Sequence, residues 1–304
     1  MKTEADSQSL PAAGGIDLLV VFHDSRRTLD AFLASLGHIS IPVSAYFLDN
    51  ASQDGTFQEL RDWRNRKTPF SFPRTLMSSD RNLGFAAGVN RLARQGNGEY
   101  LFLLNPDAEL EPQCLERLLG AALANPGAGI CEARQAPREH PKAVDPLTAE
   151  TTWCSGAAAL IRRKAFEEVG GFDERLYFMY CEDVDLSWKL WLRGWRCLYV
   201  PEAVVRHWTQ DLTPGKSRRL ENYFSFRNSL FLYHRFGRPE DRRLIWRFLK
   251  SRFFSRRYSV RSKLLFAIAL ADYIRYIPVL VKDRGQWKNR HPWVRLEETS
   301  LSRE

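Results

Sequence analysis

Four times in the first 125 residues an apolar run gives way to a stretch whose apolar residues recur every three or four positions. IDLLVVF (16–22) precedes SRRTLDAFLASL, VSAYFLDN (43–50) precedes DGTFQELRDWRNR, FPRTLMSS precedes GFAAGVNRLARQ, and YLFLLN (100–105) precedes PQCLERLLGAALAN. Short apolar runs between polar residues predict buried strands, and the 3.6-residue period predicts helices packed on them. The alternation predicts an α/β fold: a mostly parallel central sheet flanked by helices, with ligands outside the carboxyl ends of the strands. Asp49, Asn82 and Asp107 fall at or just beyond those ends.

After about residue 130 the rhythm loosens. APREHPKAVDP reads as a surface loop, WCSGAAALIRR as a strand, RKAFEEVGGF as a short helix closed by glycines, EDVDLSWKLWLRGW as an amphipathic helix stopped at Gly194, and WRCLYVPEAVVRH as a last strand. Beyond His207 the pattern is mostly helical. LLFAIALADYIRYIPVLV is apolar for 18 residues but interrupted by Asp272, Arg275 and Pro278. It is therefore expected to pack on the body or lie shallowly in a membrane rather than to span one.

Charge divides the chain. Residues 1–214 carry 23 basic and 28 acidic side chains, whereas 215–304 carry 22 and 8, a net of +14. A mildly acidic body with a basic tail predicts an anionic partner for the tail. RPEDRRLIWRFLKSRFFSRRYSVRSK interleaves cations with Trp, Phe and Tyr, the composition of a helix lying in the interface of an anionic bilayer. Nucleic acid is the competing partner and is not expected, because it leaves the acidic motifs of the body without a role. Five cysteines without CxxC spacing read as reduced thiols, and the polar N-terminus is not expected to act as a signal peptide.

Three carboxylates stand where chemistry needs them. Asp107 in LLNPD is a hard oxygen donor suited to Mg²⁺ or Mn²⁺, which typically takes one or two protein carboxylates while water and phosphate fill the other positions. Asp49 is an acceptor matched to a ring N–H or sugar hydroxyls. Asp183 in CEDVD opens a helix whose N-terminus favours a charged carboxylate. Asp185 is expected to pair with Lys189 on the helix surface, and Asp54 either caps a helix or serves a ligand.

LDNASQDGT, NLGFAAGVN, LLNPD, SGAAALIRRKAFEEVGGFDE, MYCEDVDLSWKLWLRGW and VPEAVVRH, in that order, resemble the family-2 inverting glycosyltransferases of GT-A fold, and most of all the rhamnosyltransferase-type enzymes of bacterial surface polysaccharide synthesis. The resemblance spans roughly residues 16–236. It implies a flexible segment 1–15, a catalytic domain 16–236 and a basic helical region 237–304 associated with the membrane. It implies a nucleotide-sugar donor, dTDP-rhamnose before UDP-sugars, a lipid-linked saccharide or polysaccharide acceptor, and a place on the cytoplasmic face of the cell membrane. Asp49, Asn82, Gly84, Asn105 and Asp107 are implied in donor binding, Asp107 and His207 in holding the metal, and Asp183 as base, with Glu182 orienting the acceptor or replacing it. Trp153, Ser155 and Gly156 correspond to the acceptor pocket, although Trp153 equally suits a core. Two departures stand out: Asn105 occupies the first acidic position of the usual Asp-any-Asp motif, and Phe22-His23-Asp24 stands where Thr-Tyr-Asn is usual. TQDLTPGKSRR is a candidate lid bringing Lys216, Arg218 or Arg219 to the diphosphate. The rival readings are a sugar nucleotidyltransferase, for which VVFHDSRR lacks the glycines, and an inactive scaffold using the basic tail.

Overall fold

A computed structural model describes residues 15–65, 72–208, 216–287 and 290–296. The lid candidate falls mostly on residues outside these, as do the side chains of Lys216 and Arg218 and all but the last residue of the segment 1–15. The chain begins with β1 (Ile16–Phe22), α1 (Arg26–Ser35), β2 (Val43–Asn50), α2 (Thr56–Asn65), β3 (Arg74–Ser79), α3 (Phe85–Ala93) and β4 (Tyr100–Leu104). It continues with β5 (Ala108–Leu110), α4 (Cys114–Ala124), β6 (Ala128–Ala136), β7 (Ala158–Arg162), α5 (Arg163–Glu168), α6 (Glu182–Leu192) and β8 (Arg196–His207). Three helices close it: α7 (Lys216–Phe236), α8 (Arg242–Phe254) and α9 (Val260–Arg284).

The eight strands form one mixed sheet ordered β3-β2-β1-β4-β7-β6-β8-β5. The first half is parallel, as the βα repeats require, whereas β7 runs antiparallel between β4 and β6, and β5 runs antiparallel along β8. Alternate side chains divide the core. Leu18, Val20 and Phe22 of β1 with Phe102 and Leu104 of β4 face the side covered by α1 and α4, while Leu19, Leu101 and Leu103 face the side that holds α3 and α6.

That second core continues without a break through Phe226 and Phe231 of α7 to Phe266 and Leu280 of α9 and on to Leu296. The C-terminal helices are thus seated on the body by the same apolar cluster that buries α6. The sequence reads α6 as amphipathic, but Glu182, Asp185 and Lys189 are buried along with Val184, Leu186, Trp188, Leu190 and Trp191. The expected Asp185–Lys189 pair exists at 3.2 Å, yet in the interior rather than on the surface. It is tolerable there because Arg235 of α7 adds a 2.6 Å contact to Asp185 and binds Asp173 and Asp283 as well, so each buried charge has an opposite neighbour.

Candidate active site

The strand ends deliver their side chains to one edge of the sheet. Asp49 closes β2, is 4% exposed, accepts from the Ser52 N–H at 3.3 Å through Oδ2, and leaves Oδ1 buried without a partner among the described residues. A buried carboxylate oxygen aimed at nothing is costly, and an N–H or hydroxyl of a ligand would relieve it. Next to it, Asn50 donates to Oδ1 of Asn82 at 3.0 Å and to the Gly84 carbonyl at 3.2 Å, and accepts from the Leu83 N–H at 2.8 Å. Asn50, which the sequence reading passed over for its acidic neighbour, therefore ties β2 to the loop before α3.

Gly84 sits at φ +84°, and a Cβ there would lie 2.4 Å from the carbonyl oxygen of Phe178. That oxygen accepts the N–H of Phe85 at 2.8 Å, which joins the start of α3 to the segment leading into α6. Gly88 and Asn90, by contrast, serve packing: Gly88 meets Val21, and Asn90 bonds Phe172 and Glu174. Asp54 is structural too. It accepts from Thr56 and from the Arg26 N–H at 2.9 Å, which joins the first turns of α2 and α1; burial pushes its carboxyl up, but those hydrogen bonds together outweigh it and hold the group below the usual range.

At the other end of the sheet, Oδ1 of Asp107 lies 3.2 Å from Nε2 of His207, an approach fixed by the pairing of Ala108 with His207 across β5 and β8. Nδ1 of His207 lies 2.7 Å from Oε1 of Gln135. An amide oxygen only accepts, so Nδ1 carries the hydrogen and Nε2 is the ring atom left to face the carboxylate. Two electron-rich atoms face each other comfortably only with a proton or a cation between them. The donor set, one carboxylate and one imidazole, fits a divalent cation that completes its coordination from phosphate and water; among the described residues no third His, Cys, Asp or Glu joins them. Nearby, Glu109 accepts from Trp208 Nε1 at 2.9 Å, and Glu111 pairs with Arg206 at 2.5 Å.

From Gln135 a polar chain runs inward: its Nε2 donates to Glu132 at 3.4 Å, and buried Glu132 is paired with Lys142. Burial raises the Glu132 carboxyl, against the opposing pull of the Lys142 charge and the Ser155 N–H. The sequence reading missed Glu132, Gln135 and Lys142. Trp153 is 6% exposed within the apolar core, with the Lys142 ammonium 4.7 Å over its ring.

The segment between these two ends holds the site together. The Asn105 N–H donates to the Ala157 carbonyl at 2.8 Å, and the Gly156 N–H donates to Oδ2 of Asp183 at 3.3 Å. Asn105, two residues before Asp107, and Asp183 thus contact the same backbone, 156–157, next to buried Ser155. Tyr180 lies within electrostatic reach of both Asp107 and Glu182, and its hydroxyl is pushed up to about 12, mostly by burial. Oδ1 of Asp183 also accepts from the Val184 N–H at 2.8 Å. Burial nevertheless outweighs these N–H groups and the Lys142 charge and raises the Asp183 carboxyl, the opposite of what the helix N-terminus alone would do. Glu182, 7% exposed and with Oε2 unpartnered among the described residues, is raised well above the usual carboxylate range by burial and by the charge of Asp183.

Tyr180 and Cys181, immediately before these acids, both take the left-handed conformation, at φ +66° and +67°. Neither is glycine, so the turn stores strain on the order of 1–3 kcal/mol per residue, a feature typical of functional turns.

Residues 17–149 match Glycosyl transferase family 2, and residues 143–281 match Glycosyl transferase family group 2. An N-acetylglucosaminyl-diphospho-decaprenol L-rhamnosyltransferase of Mycobacterium tuberculosis is 34% identical over 240 residues, covering 63% of this chain and 75% of that protein. The chain belongs to the family-2 glycosyltransferases. The rhamnosyltransferase WbbL of Escherichia coli is 48% identical over a shorter stretch, 18% of this chain and 21% of its own. Among solved structures, a mannosyltransferase of Pyrobaculum calidifontis in complex with GDP-Man and Mn²⁺ superposes with a TM-score of 0.61 at 18% identity, over 91% of this chain and 81% of that one. That likeness establishes the GT-A fold.

Proposed function

We propose that this family-2 glycosyltransferase carries out an inverting sugar transfer, moving rhamnose from dTDP-rhamnose to a lipid-linked saccharide in cell-surface glycan synthesis. The observation that carries the reading is that Asp183 and Asn105, the latter two residues before Asp107 and far from Asp183 in sequence, both bond the segment 156–157. The mycobacterial relative, by its name a rhamnosyltransferase acting on N-acetylglucosaminyl-diphospho-decaprenol, supports the sugar and the acceptor class.

In this reading Asp49 offers its unpartnered Oδ1 to the nucleoside, and the Asn82–Gly84 loop, held by Asn50, brings backbone close to the diphosphate. Asp107 and His207 hold a Mg²⁺ or Mn²⁺, which when bound neutralises charge on the departing diphosphate. Asp183 takes the proton of the acceptor hydroxyl as that oxygen attacks the anomeric carbon opposite the nucleotide. Glu182, protonated beside ionised Asp183, donates a hydrogen bond that orients the acceptor.

The acceptor's lipid places the reaction at a membrane surface, on the cytoplasmic side. The helices α8 and α9 suit that surface. Trp246 is 70% exposed, Phe254 79%, Val260 83% and Leu264 63%, among cations that include Arg247, Lys250, Arg257 and Lys263. The stretch Val260–Asp283 is long and apolar enough to cross a membrane. However, Phe266, Ala269 and Leu280 are buried, Phe266 against Phe226 of α7 and Phe253 of α8, and Asp272 is bonded to α7, so we assign α9 a lying position with its outer face in the interface. A panel of dTDP- and UDP-sugars, with and without Mg²⁺ or Mn²⁺, tests the assignment. Metal-dependent turnover of dTDP-rhamnose with a GlcNAc-diphospho-polyprenyl acceptor is expected, and exclusive use of UDP-sugars would overturn the donor.

A further inference from the structure

The strained turn before α6 is held from outside by side chains of α7, and one of them grips its backbone. Asn228 of α7, fully buried, donates both hydrogens of its amide, to the Met179 carbonyl at 2.8 Å and to the Tyr180 carbonyl at 2.7 Å. Its Oδ1 accepts from Nε of Arg227 at 3.0 Å, so three partners fix the amide's orientation. Arg227 is 6% exposed and is itself clamped, donating to the Leu176 carbonyl at 3.1 Å and to Asp272 of α9 at 2.8 Å. Tyr223 adds a 2.7 Å hydrogen bond to the same Asp272 oxygen.

These contacts form one path: α9, Asp272, Arg227, Asn228, the carbonyls of 179 and 180, then Glu182 and Asp183. A turn with two left-handed non-glycine residues persists only where its surroundings over-determine it. Apart from the Phe178 carbonyl joined to Phe85, the backbone bonds of this turn among the described residues run forward into α6, as in the Asp185 N–H to Cys181 carbonyl bond at 3.0 Å. The geometry points to Arg227 and Asn228 as positioning residues for the base: they keep the turn in its left-handed form, so that α6 starts where Asp183 meets the Gly156 N–H. Since Arg227 is anchored on Asp272, the seating of α9 on the body governs the placement of the base. The base's identity rests on the function proposed above; the positioning of the turn does not.

Full-length Asn228→Ala, Asp272→Asn and Asp183→Asn variants test this together. Hydrogen exchange of the unliganded protein reads the turn directly. Asn228→Ala should speed exchange at 180–183 while strands β1, β2 and β4 stay protected. With dTDP-rhamnose, Mn²⁺ and a GlcNAc-diphospho-polyprenyl acceptor, its kcat should fall about 10²-fold, the effect of misplacing a catalytic group by roughly 1 Å. Binding of dTDP with Mn²⁺ should be unchanged, and the acid limb of kcat/KM should move to lower pH as the carboxylate gains water. Asp272→Asn should shift every readout the same way by less, and it decides the matter if Asn228→Ala loses its sheet protection. Wild-type exchange and kcat in the folded variants, with Asp183→Asn inactive, would overturn the positioning role and leave the base intact. An active Asp183→Asn would instead remove the base, and the exchange data alone would then judge the turn.

Discussion

The backbone N–H of Gly156 donates to Oδ2 of Asp183 at 3.3 Å, so the approach to β7 and the start of α6 meet at a carboxylate. Burial raises that carboxyl against two N–H donors and the nearby Lys142 charge. A base works only when deprotonated, and its folded-state pKa lies above the ordinary value. The acid limb of kcat/KM should therefore stand at higher pH than an unperturbed aspartate would give, and Lys142→Met, which removes the lowering charge, should move it higher still. A pH–rate profile of both proteins checks this.

Glu182 is expected to cost the fold stability. Its carboxyl is raised in the folded chain, so its stabilising contribution is present below the unfolded value near 4.5 and is lost as pH climbs toward the folded value. Glu182→Gln, which never ionises, should match the wild type near pH 4.5 and exceed it at pH 7–8, by about 2–4 °C in Tm for each kcal/mol relieved. Thermal melts across that range provide the comparison, and the same variant, whose amide still donates to the acceptor, should keep most of its turnover.

The two glycines of the site should respond differently. At Gly84 a Cβ would lie 2.4 Å from a backbone oxygen at a φ of +84°, so Gly84→Ala should lower Tm markedly and loosen the donor loop. At Gly156 the nearest atoms are the Phe85 ring at 3.3 Å, and a small ring shift absorbs an alanine. Parallel melts and dTDP-binding titrations separate the cases.

The exposed apolar face of α8 and α9 should bind anionic vesicles. Trp246→Ser and Phe254→Ser should each weaken binding to phosphatidylglycerol vesicles by about tenfold, the worth of burying one large apolar side chain. Raising salt should weaken it further by screening the cations. Vesicle sedimentation measures both, and indifference to both substitutions would remove α8 from the interface.

The βα repeats were legible because period 2 and period 3.6 leave different traces. The strand ends then carried Asp49 and Asp107 to the sheet edge. What stayed hidden was tertiary. Glu132, Gln135 and Lys142 lie where periodicity fails, and their link to His207 depends on β6 pairing with β8. Asn228 looks like any polar residue of a helix until its carbonyl partners, 48 and 49 residues away, are seen. The amphipathic reading of α6 failed for a related reason: Asp185 and Lys189 look solvated in sequence, but Arg235, 50 residues on, permits their burial.

We propose Asp107 as the residue that holds a cation for the diphosphate and Asp183 as the one that takes the acceptor's proton. Calorimetric titration of dTDP-rhamnose with Mn²⁺ into the wild type, Asp107→Asn and Asp183→Asn, with turnover measured on the same samples, tests it most directly. Asp183→Asn should bind like the wild type but turn over at least about 10²-fold more slowly, while Asp107→Asn should lose the metal-dependent part of binding. Wild-type turnover by Asp183→Asn, or no binding of any nucleotide sugar to the wild type under any metal condition, would contradict it.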